Sequence, residues 1–302
     1  MNTPDHTPLV TVVILSMNKM QDILECIRSI KGQSYRNYNI IIVDNGSTDG
    51  TPDAIEQAHP DIHIIRNASN RGISTGRNQG FRAAQELYSP QFLLMLDNDI
   101  RLEPRYMECM LDAVRGDDTV ALACGKVYTA YPSTTLASAG INVNLWTGVI
   151  RDRGFGEQDH GQFDEPAFVG AASGFNTLAR MDILANIGGW DERYDPYGWD
   201  DAEIGIRIRR EGYRIAYVPG ARLYHKGTRL NRSPLPGYER SKIVNYFRLV
   251  REFASLPQRV TIFLLLPFRW TALAAGYVLG GQGRIIATHV GTLYNVVRGR
   301  SS

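Results

Sequence analysis

Four short apolar runs recur through the first hundred residues: VTVVIL (10–15), IIIVD (40–44), IHIIR (62–66) and FLLMLD (92–97). Helix-patterned segments separate them. Ile23, Leu24, Ile27 and Ile30 fall at helical spacing, residues 51–58 read as a short helix, and another helix is expected near 74–87. Residues 104–114 are again helical, and VALACGKVY from 120 reads as a fifth strand. Strands apolar on both faces and alternating with helices pack best as a mostly parallel sheet covered on both sides. Such sheets bind ligands beyond the carboxyl ends of their strands. Three polar clusters stand at those ends: SMN (16–18), DNGSTDG (44–50) and DND (97–99). Their shared placement points to a nucleotide-like ligand before it points to a chemistry.

The second half loses this alternation. Residues 135–180 read as short strands and loops rich in Gly, Ala and Ser, and a helix is expected over 201–211. YRIAYVPGARLYH (213–225) reads as a strand, a Pro-Gly turn and a second strand. The 302 residues suffice for one large core. Three cysteines (Cys26, Cys109, Cys124) lack metal-ligand spacing and fit a reducing compartment. The opening MNTPDHTPLVTVVIL has no basic segment before its apolar run, so it reads as a strand rather than a signal peptide.

The acids raise the chemical question. Asp97 and Asp99 follow an apolar strand, where uncompensated carboxylates are costly. A cation, a basic side chain or water must offset them. Two carboxylates at a strand end suit Mg²⁺ or Mn²⁺ carrying a diphosphate, and the plainer alternative is a solvated turn. Asp44 can accept from a nucleobase or ribose, or simply cap a turn. NRGISTGRNQG (70–80) is a Gly-rich loop entering a helix, which lets a phosphate approach, with Arg71 and Arg77 as partners for phosphate or base. Asp200, Asp201 and Glu203 crowd a helix start, where the dipole favours carboxylates. Three acids within four residues, beside Trp190 and Trp199, exceed what capping needs. A base next to aromatic platforms is what a sugar hydroxyl requires. Arg207 lies four residues after Glu203, at ion-pair spacing. His225 ends the strand ARLYH and becomes a metal-ligand candidate only in the company of Asp99.

Taken in order, VTVVILSMN, IIIVDNGSTDG, NRGISTGRNQG, LDND and GWDDAEIGIRIRREGYRIAYVPGARLYHKG resemble the successive motifs of family 2 glycosyltransferases, closest to a rhamnosyltransferase-like branch, over roughly residues 8–230. The resemblance implies the GT-A fold: a Rossmann-like mixed, mainly parallel sheet flanked by helices, here with a C-terminal helical tail. It divides the chain into a catalytic domain over 1–230 (nucleotide-binding half 8–125, acceptor-side half 126–230) and a tail over 231–302. It implies inverting transfer from a nucleotide-diphosphate sugar, UDP- or dTDP-linked and possibly rhamnose, to a glycan or lipid-linked acceptor in cell-surface polysaccharide synthesis. Ser16, Asn18, Asp44, Asn70, Gly72, Arg77, Asn78 and Asp97 would contact the nucleotide sugar, with Asp44 and Arg77 on the base and Asp97 on ribose or metal. Asp97, Asp99 and His225 would hold Mg²⁺ or Mn²⁺. Trp199, Glu203 and Arg207 would meet the acceptor. The usual acidic block reads E-D-x-D-L, but here it is D-D-A-E-I, leaving the base at Asp201 or Asp200.

Charge separates the tail from the body. Residues 1–227 carry 22 Lys+Arg against 29 Asp+Glu, whereas residues 228–302 carry 11 against 2. A basic and apolar tail favours anionic lipid over nucleic acid. In VTIFLLLPFRWTALAAGYVLGG (260–281) the apolar residues contribute about −3 to −6 kcal/mol towards insertion, and a central Arg costs about +2.5 to +3.5. An interfacial or re-entrant segment on the cytoplasmic face is therefore expected, the alternative being a buried helix or a dimer contact. A nicotinamide dehydrogenase is excluded by the lack of G-x-G-x-x-G after the first strand. A sugar nucleotidyltransferase is disfavoured because SMNKMQD has no glycine. A non-catalytic nucleotide-sugar-binding or assembly protein is the remaining alternative, separable by metal-dependent product formation.

Overall fold

The computed structural model describes residues 7–227, 236–279 and 284–297. The first half alternates as expected: β1 (Val10–Ser16), α1 (Met20–Lys31), β2 (Tyr38–Asp44), α2 (Thr51–Ala58), β3 (His63–Arg66), α3 (Ile73–Tyr88) and β4 (Phe92–Asp97). Then come β5 (Ile100–Leu102), α4 (Tyr106–Arg115), β6 (Val120–Tyr128), β7 (Leu136–Ser138), β8 (Ile141–Asn144), β9 (Val149–Asp152) and β10 (Ala167–Phe168). β11 (Asn176–Arg180), α5 (Met181–Asn186), α6 (Asp200–Arg210) and β12 (Arg214–His225) lead to three further helices, α7 (Pro236–Phe253), α8 (Leu256–Leu279) and α9 (Arg284–Val297).

The main sheet runs β10-β12-β6-β11-β4-β1-β2-β3, with β5 pairing β12 and β7 pairing β6. β1 is parallel to β2 and β4, β2 is parallel to β3, and β6 is parallel to β12. β11 is inserted antiparallel between β4 and β6, which makes the sheet mixed. The helical spacing on α1 buries Ile23, Cys26, Ile27 and Ile30 completely on one face of the sheet. Each of those isoleucines contributes roughly 1.5–3 kcal/mol. Phe81, Ala84, Ile183 and Leu184 cover the opposite face.

Register explains the site. Ser16 pairs with Asp44 across β1 and β2, and Leu15 pairs with Asp97 across β1 and β4. Three strand ends therefore finish in one row. One expectation fails: residues 214–225 form a single strand, not two strands around a turn. β12 stays beside β6 from end to end, and the Pro219-Gly220 segment is absorbed as a bulge between Val218 and Arg222. Pro219 has no N–H to give the ladder, so the interruption falls there without ending the strand.

Candidate active site

Asp99 sits in the turn between β4 and β5. β5 pairs antiparallel with the end of β12, and this register sets His225 opposite Ile100, one residue from Asp99. Asp97, Asp99 and His225 each offer a ligand atom, all within 4.8 Å of one another. Asp99 and His225 are buried and Asp97 is half-buried. The His225 ring packs against Phe175 at 4.2 Å between centroids, which fixes its plane. His225 Nε2 lies 3.0 Å from Asp99 Oδ1, and Lys19 Nζ donates to Asp99 Oδ2 at 2.6 Å. Burial works against ionisation of Asp99, but His225 and Lys19 outweigh it and hold the carboxyl well below the usual range. Two carboxylates and an imidazole form a hard O/N donor set that suits Mg²⁺ or Mn²⁺, and the Lys19 ammonium marks the same spot as one that takes positive charge.

The row of strand ends makes the adjoining corner. Ser16, Asp44 and Asn98 are buried there. Asn98 Nδ2 donates to Ser16 Oγ at 3.3 Å and to the Asn18 carbonyl at 3.0 Å, tying the two loops together. Asn18 Oδ1 accepts from Thr48 N at 2.9 Å. Asp44 accepts from the Ser47 amide at 3.0 Å and from its hydroxyl. Asp44 thus caps its own turn, the plainer of its two sequence readings, while keeping lone pairs available.

The third part of the expected nucleotide set lies elsewhere. The N-terminus of α3 carries not an open phosphate cradle but the chain's own carboxylate. Asp195 accepts from Ser74 N at 2.7 Å, Thr75 N at 3.1 Å and Thr75 Oγ1 at 2.6 Å. A carboxylate at a helix N-terminus meets the orphan amides and the positive dipole end as a phosphate would. Gly72, at φ 94°, is bare to make room for it, since a Cβ would come within 2.3 Å of Asp195 Cγ. Asn70 Oδ1 accepts from Gly72 N at 2.9 Å and from Asn45 Nδ2 at 3.1 Å, shaping this loop. Asn78 exchanges two bonds with the Trp190 backbone, at 2.8 and 2.9 Å, and donates to Glu192 Oε1 at 3.0 Å.

Arg77 likewise serves the acid block. It is buried, with its guanidinium paired to Asp200 and, at 3.1 Å, to Asp201 Oδ1. Gly174 provides the space: a Cβ there would lie 2.0 Å from Arg77 Cζ. Asp201 Oδ1 also accepts from Gly174 N at 2.8 Å, and neither contact uses Oδ2. The two acids differ in access, with side chains 7% exposed for Asp200 and 26% for Asp201. Burial and the charge of Asp200 push the Asp201 carboxyl above the ordinary range, partly offset by Arg77. The motif that resembles a base-binding arginine therefore lies against the carboxylates at the head of α6, which supply the pairing that a buried guanidinium requires.

Glu203 and Arg207, expected at the acceptor, instead close on each other. Arg207 Nη2 donates to Glu203 Oε2 at 2.8 Å and to the Gly189 carbonyl at 2.7 Å, and Nη1 to the Ile187 carbonyl at 2.7 Å. Glu203 is 1% exposed, so this pair braces α6 against the turn after α5. It also lines a surface cavity of about 470 Å³ with Trp190 and Arg193. Trp199 takes the left-handed conformation at φ 69°, which costs a non-glycine residue about 1–2 kcal/mol. Its indole donates to the Lys242 carbonyl at 2.7 Å, and Asn245 Nδ2 holds the carbonyls of Tyr194 at 2.7 Å and Tyr197 at 3.1 Å. α7 thus clamps the loop that delivers Asp200 and Asp201. Asn245 is 2% exposed, so Asn245→Ala should cost about 1–3 kcal/mol by leaving those carbonyls unpaired. Urea unfolding measures the loss, and an unchanged midpoint would refute the clamp.

Sequence reasoning missed Lys19, Asn45, Asp195 and Asn245. Asn45 fastens the 70–72 loop through Arg71 N at 3.0 Å and the Gly72 carbonyl at 3.0 Å. Its place in a turn cluster after a strand was the available signal. Lys19, Asp195 and Asn245 carried none, because their partners lie 80, 120 or 51 positions away.

A mixed α/β sheet with acids gathered at its strand ends is the GT-A glycosyltransferase fold. The family model described as "Glycosyl transferase family 2" matches residues 11–188. The chain belongs to that family and is a glycosyltransferase. It is 25% identical, over 76% of its length and 80% of the relative's, to the N-acetylglucosaminyl-diphospho-decaprenol L-rhamnosyltransferase of Mycobacterium tuberculosis. It is 26% identical to the glucosyl-dolichyl phosphate glucuronosyltransferase of Haloferax volcanii, covering 72% of this chain and 68% of that one. Among solved structures it is similar to GalNAc-T7 with UDP, GalNAc and Mn²⁺ (TM-score 0.65, 18% identity), covering 82% of this chain but only 48% of the other. The mannosyltransferase PcManGT of Pyrobaculum calidifontis, in complex with GDP-Man and Mn²⁺, superposes over 99% of this chain and 78% of its own (TM-score 0.56, 20% identity).

Proposed function

We propose that this glycosyltransferase moves a sugar, with inversion, from a nucleotide-diphosphate donor to a hydroxyl of a lipid-linked or growing glycan acceptor. The observation that carries the reading is the cluster of Asp97, Asp99 and His225 at the row of strand ends. UDP or dTDP is the expected nucleotide and rhamnose a candidate sugar, supported by the likeness to a rhamnosyltransferase acting on a diphospho-decaprenol substrate. The relative's lipid-linked substrate also supports work at the cytoplasmic face of the membrane. Residues 1–230 are read as the catalytic domain, in two halves, and 231–302 as its tail.

Asp97, Asp99 and His225 would hold Mg²⁺ or Mn²⁺. When bound, the ion supplies positive charge to the departing diphosphate. Ser16, Asn18 and Asp44, at the adjoining strand ends, would meet the nucleoside. Asp201 is the base: its side chain reaches solvent, Asp200 is closed on Arg77, and its raised pKa strengthens it as a proton acceptor. It takes the proton of the acceptor hydroxyl as that oxygen bonds to the anomeric carbon and the bond to the diphosphate breaks. Arg77 fixes the carboxylate and limits its repulsion with Asp200. Product formation from UDP- and dTDP-sugars, with and without Mn²⁺, tests the reading. Metal-independent product, or none with any donor, would overturn it.

Lys19 makes a separate prediction. Its ammonium holds an oxygen that a metal would need, so Lys19→Met should tighten Mn²⁺ binding by roughly 3–10-fold, a modest gain because Lys19 is 40% exposed. Electron paramagnetic resonance of free Mn²⁺ measures this directly. Weaker binding in the variant would show that Lys19 assists the metal site instead.

A further inference from the structure

Helix α8 is apolar on both its sides. Its 24 residues contain no acid; Ile262 is buried and Gln258, Leu265, Leu266, Arg269, Trp270 and Tyr277 are half-buried on its inner side. The opposite side carries Leu256, Val260, Phe263, Leu264 and Phe268, between 54% and 75% exposed. These positions recur at three- and four-residue steps, so they form one continuous apolar stripe. A stripe this large facing outward marks an interaction surface.

Length alone does not say what covers it. At about 1.5 Å per residue the helix is long enough to cross a bilayer. Arg269, near its middle, decides otherwise. Arg269 Nη1 donates to the carbonyls of Thr147 at 3.1 Å and Gly148 at 2.8 Å and to Tyr246 Oη at 2.9 Å. Ile262 is buried against Tyr246 on the same side. The inner face is thus fastened to α7 and to the tip of the β8–β9 hairpin. Crossing would tear these contacts open and carry the guanidinium into hydrocarbon. Trp146, 57% exposed at that tip, adds an aromatic of the type that settles at the lipid–water boundary.

We propose that α8 lies flat on an anionic phospholipid surface and seats the catalytic body there without crossing it. Charge selects the partner. Arg251 and Arg259 are exposed around the start of the helix, while the tail's two acids are engaged, Glu239 by Lys242 and Glu252 by Arg193. A second copy docked stripe to stripe would offer these arginines no acid from its own α8, whereas an anionic bilayer meets them with opposite charge. The inference gives a purpose to the lipid-linked acceptor reading but does not need it to bind lipid.

Flotation of the full chain with vesicles of phosphatidylcholine alone, or with about one third phosphatidylglycerol, tests this. The protein should float with the anionic vesicles, leave them in high salt, and be extracted by alkaline carbonate. The double variant Phe263→Glu/Phe268→Glu should lose roughly tenfold or more of the binding. Its Mn²⁺-dependent thermal shift with UDP or dTDP should persist, since that shift reports the donor site alone. Absence of flotation, resistance to carbonate, or a dimer dissociated by the same variant would each overturn the proposal. Loss of the thermal shift in the wild-type chain would instead count against the donor-site reading.

Discussion

Asp99→Asn is expected to abolish turnover, by roughly 10²–10³-fold or more, while the protein remains folded. The near-isosteric amide can still accept from Lys19 and keeps the packing, but it gives up the charge that Lys19 and His225 favour, so some stability is lost, less than on truncation to alanine. What disappears is a buried negative charge in a donor set otherwise made of Asp97 and His225. Asp99→Ala should be equally inactive and less stable, by about 1–3 kcal/mol, because His225 is left without its carboxylate. Both variants should lose the Mn²⁺-dependent thermal shift with nucleoside diphosphate, a mass-action effect of ligand on the folded state. An active Asp99→Asn enzyme that keeps the shift would remove Asp99 from the site. The comparison of amide with alanine separates charge from packing, which a single deletion would confound.

The strands of the first half were legible because their periodicity is local. β-branched runs, helical spacing between them and polar residues at strand ends all follow from neighbours a few positions apart. The family motifs supplied order, and the sheet, Asp97, Asp99 and His225 came together accordingly. What was not legible depends on long-range satisfaction of charge. NRGISTGRNQG reads locally as a phosphate loop, yet Asp195 reaches the α3 amides across 120 positions and Arg77 finds Asp200 across 123. A buried arginine must be paired wherever it goes, but the sequence does not say by which acid. Pro219-Gly220 misled for the opposite reason: a strong local turn signal was overridden by the β6 ladder on both sides of it. Glu203 and Arg207 were correctly spaced for an ion pair, but their burial, and with it a bracing role, emerged only from the packing of α6 on the turn after α5.

Asp201→Asn should reduce kcat by roughly 10²–10⁴-fold with donor binding unchanged, the range expected for loss of a general base. Asp200→Asn should behave differently. It removes one of the two carboxylates paired with a buried arginine, so its main cost falls on stability, by about 1–3 kcal/mol. The pH profile then tests the coupling between the two. Burial first, and the Asp200 charge second, raise the Asp201 carboxyl, while Arg77 lowers it. A base must be ionised to act. In the wild-type enzyme kcat/KM should therefore fall as pH drops through this raised value, about tenfold per unit, at a pH above the ordinary carboxylate range. Asp200→Asn removes the like charge and leaves Arg77 to Asp201 alone. Both changes favour the ionised form, so the acid limb should move to lower pH in that variant. A limb that stays where it was, or an Asp201→Asn enzyme that keeps its kcat, would mean that the acceptor proton leaves by another route and that the acids at the head of α6 serve to hold Arg77.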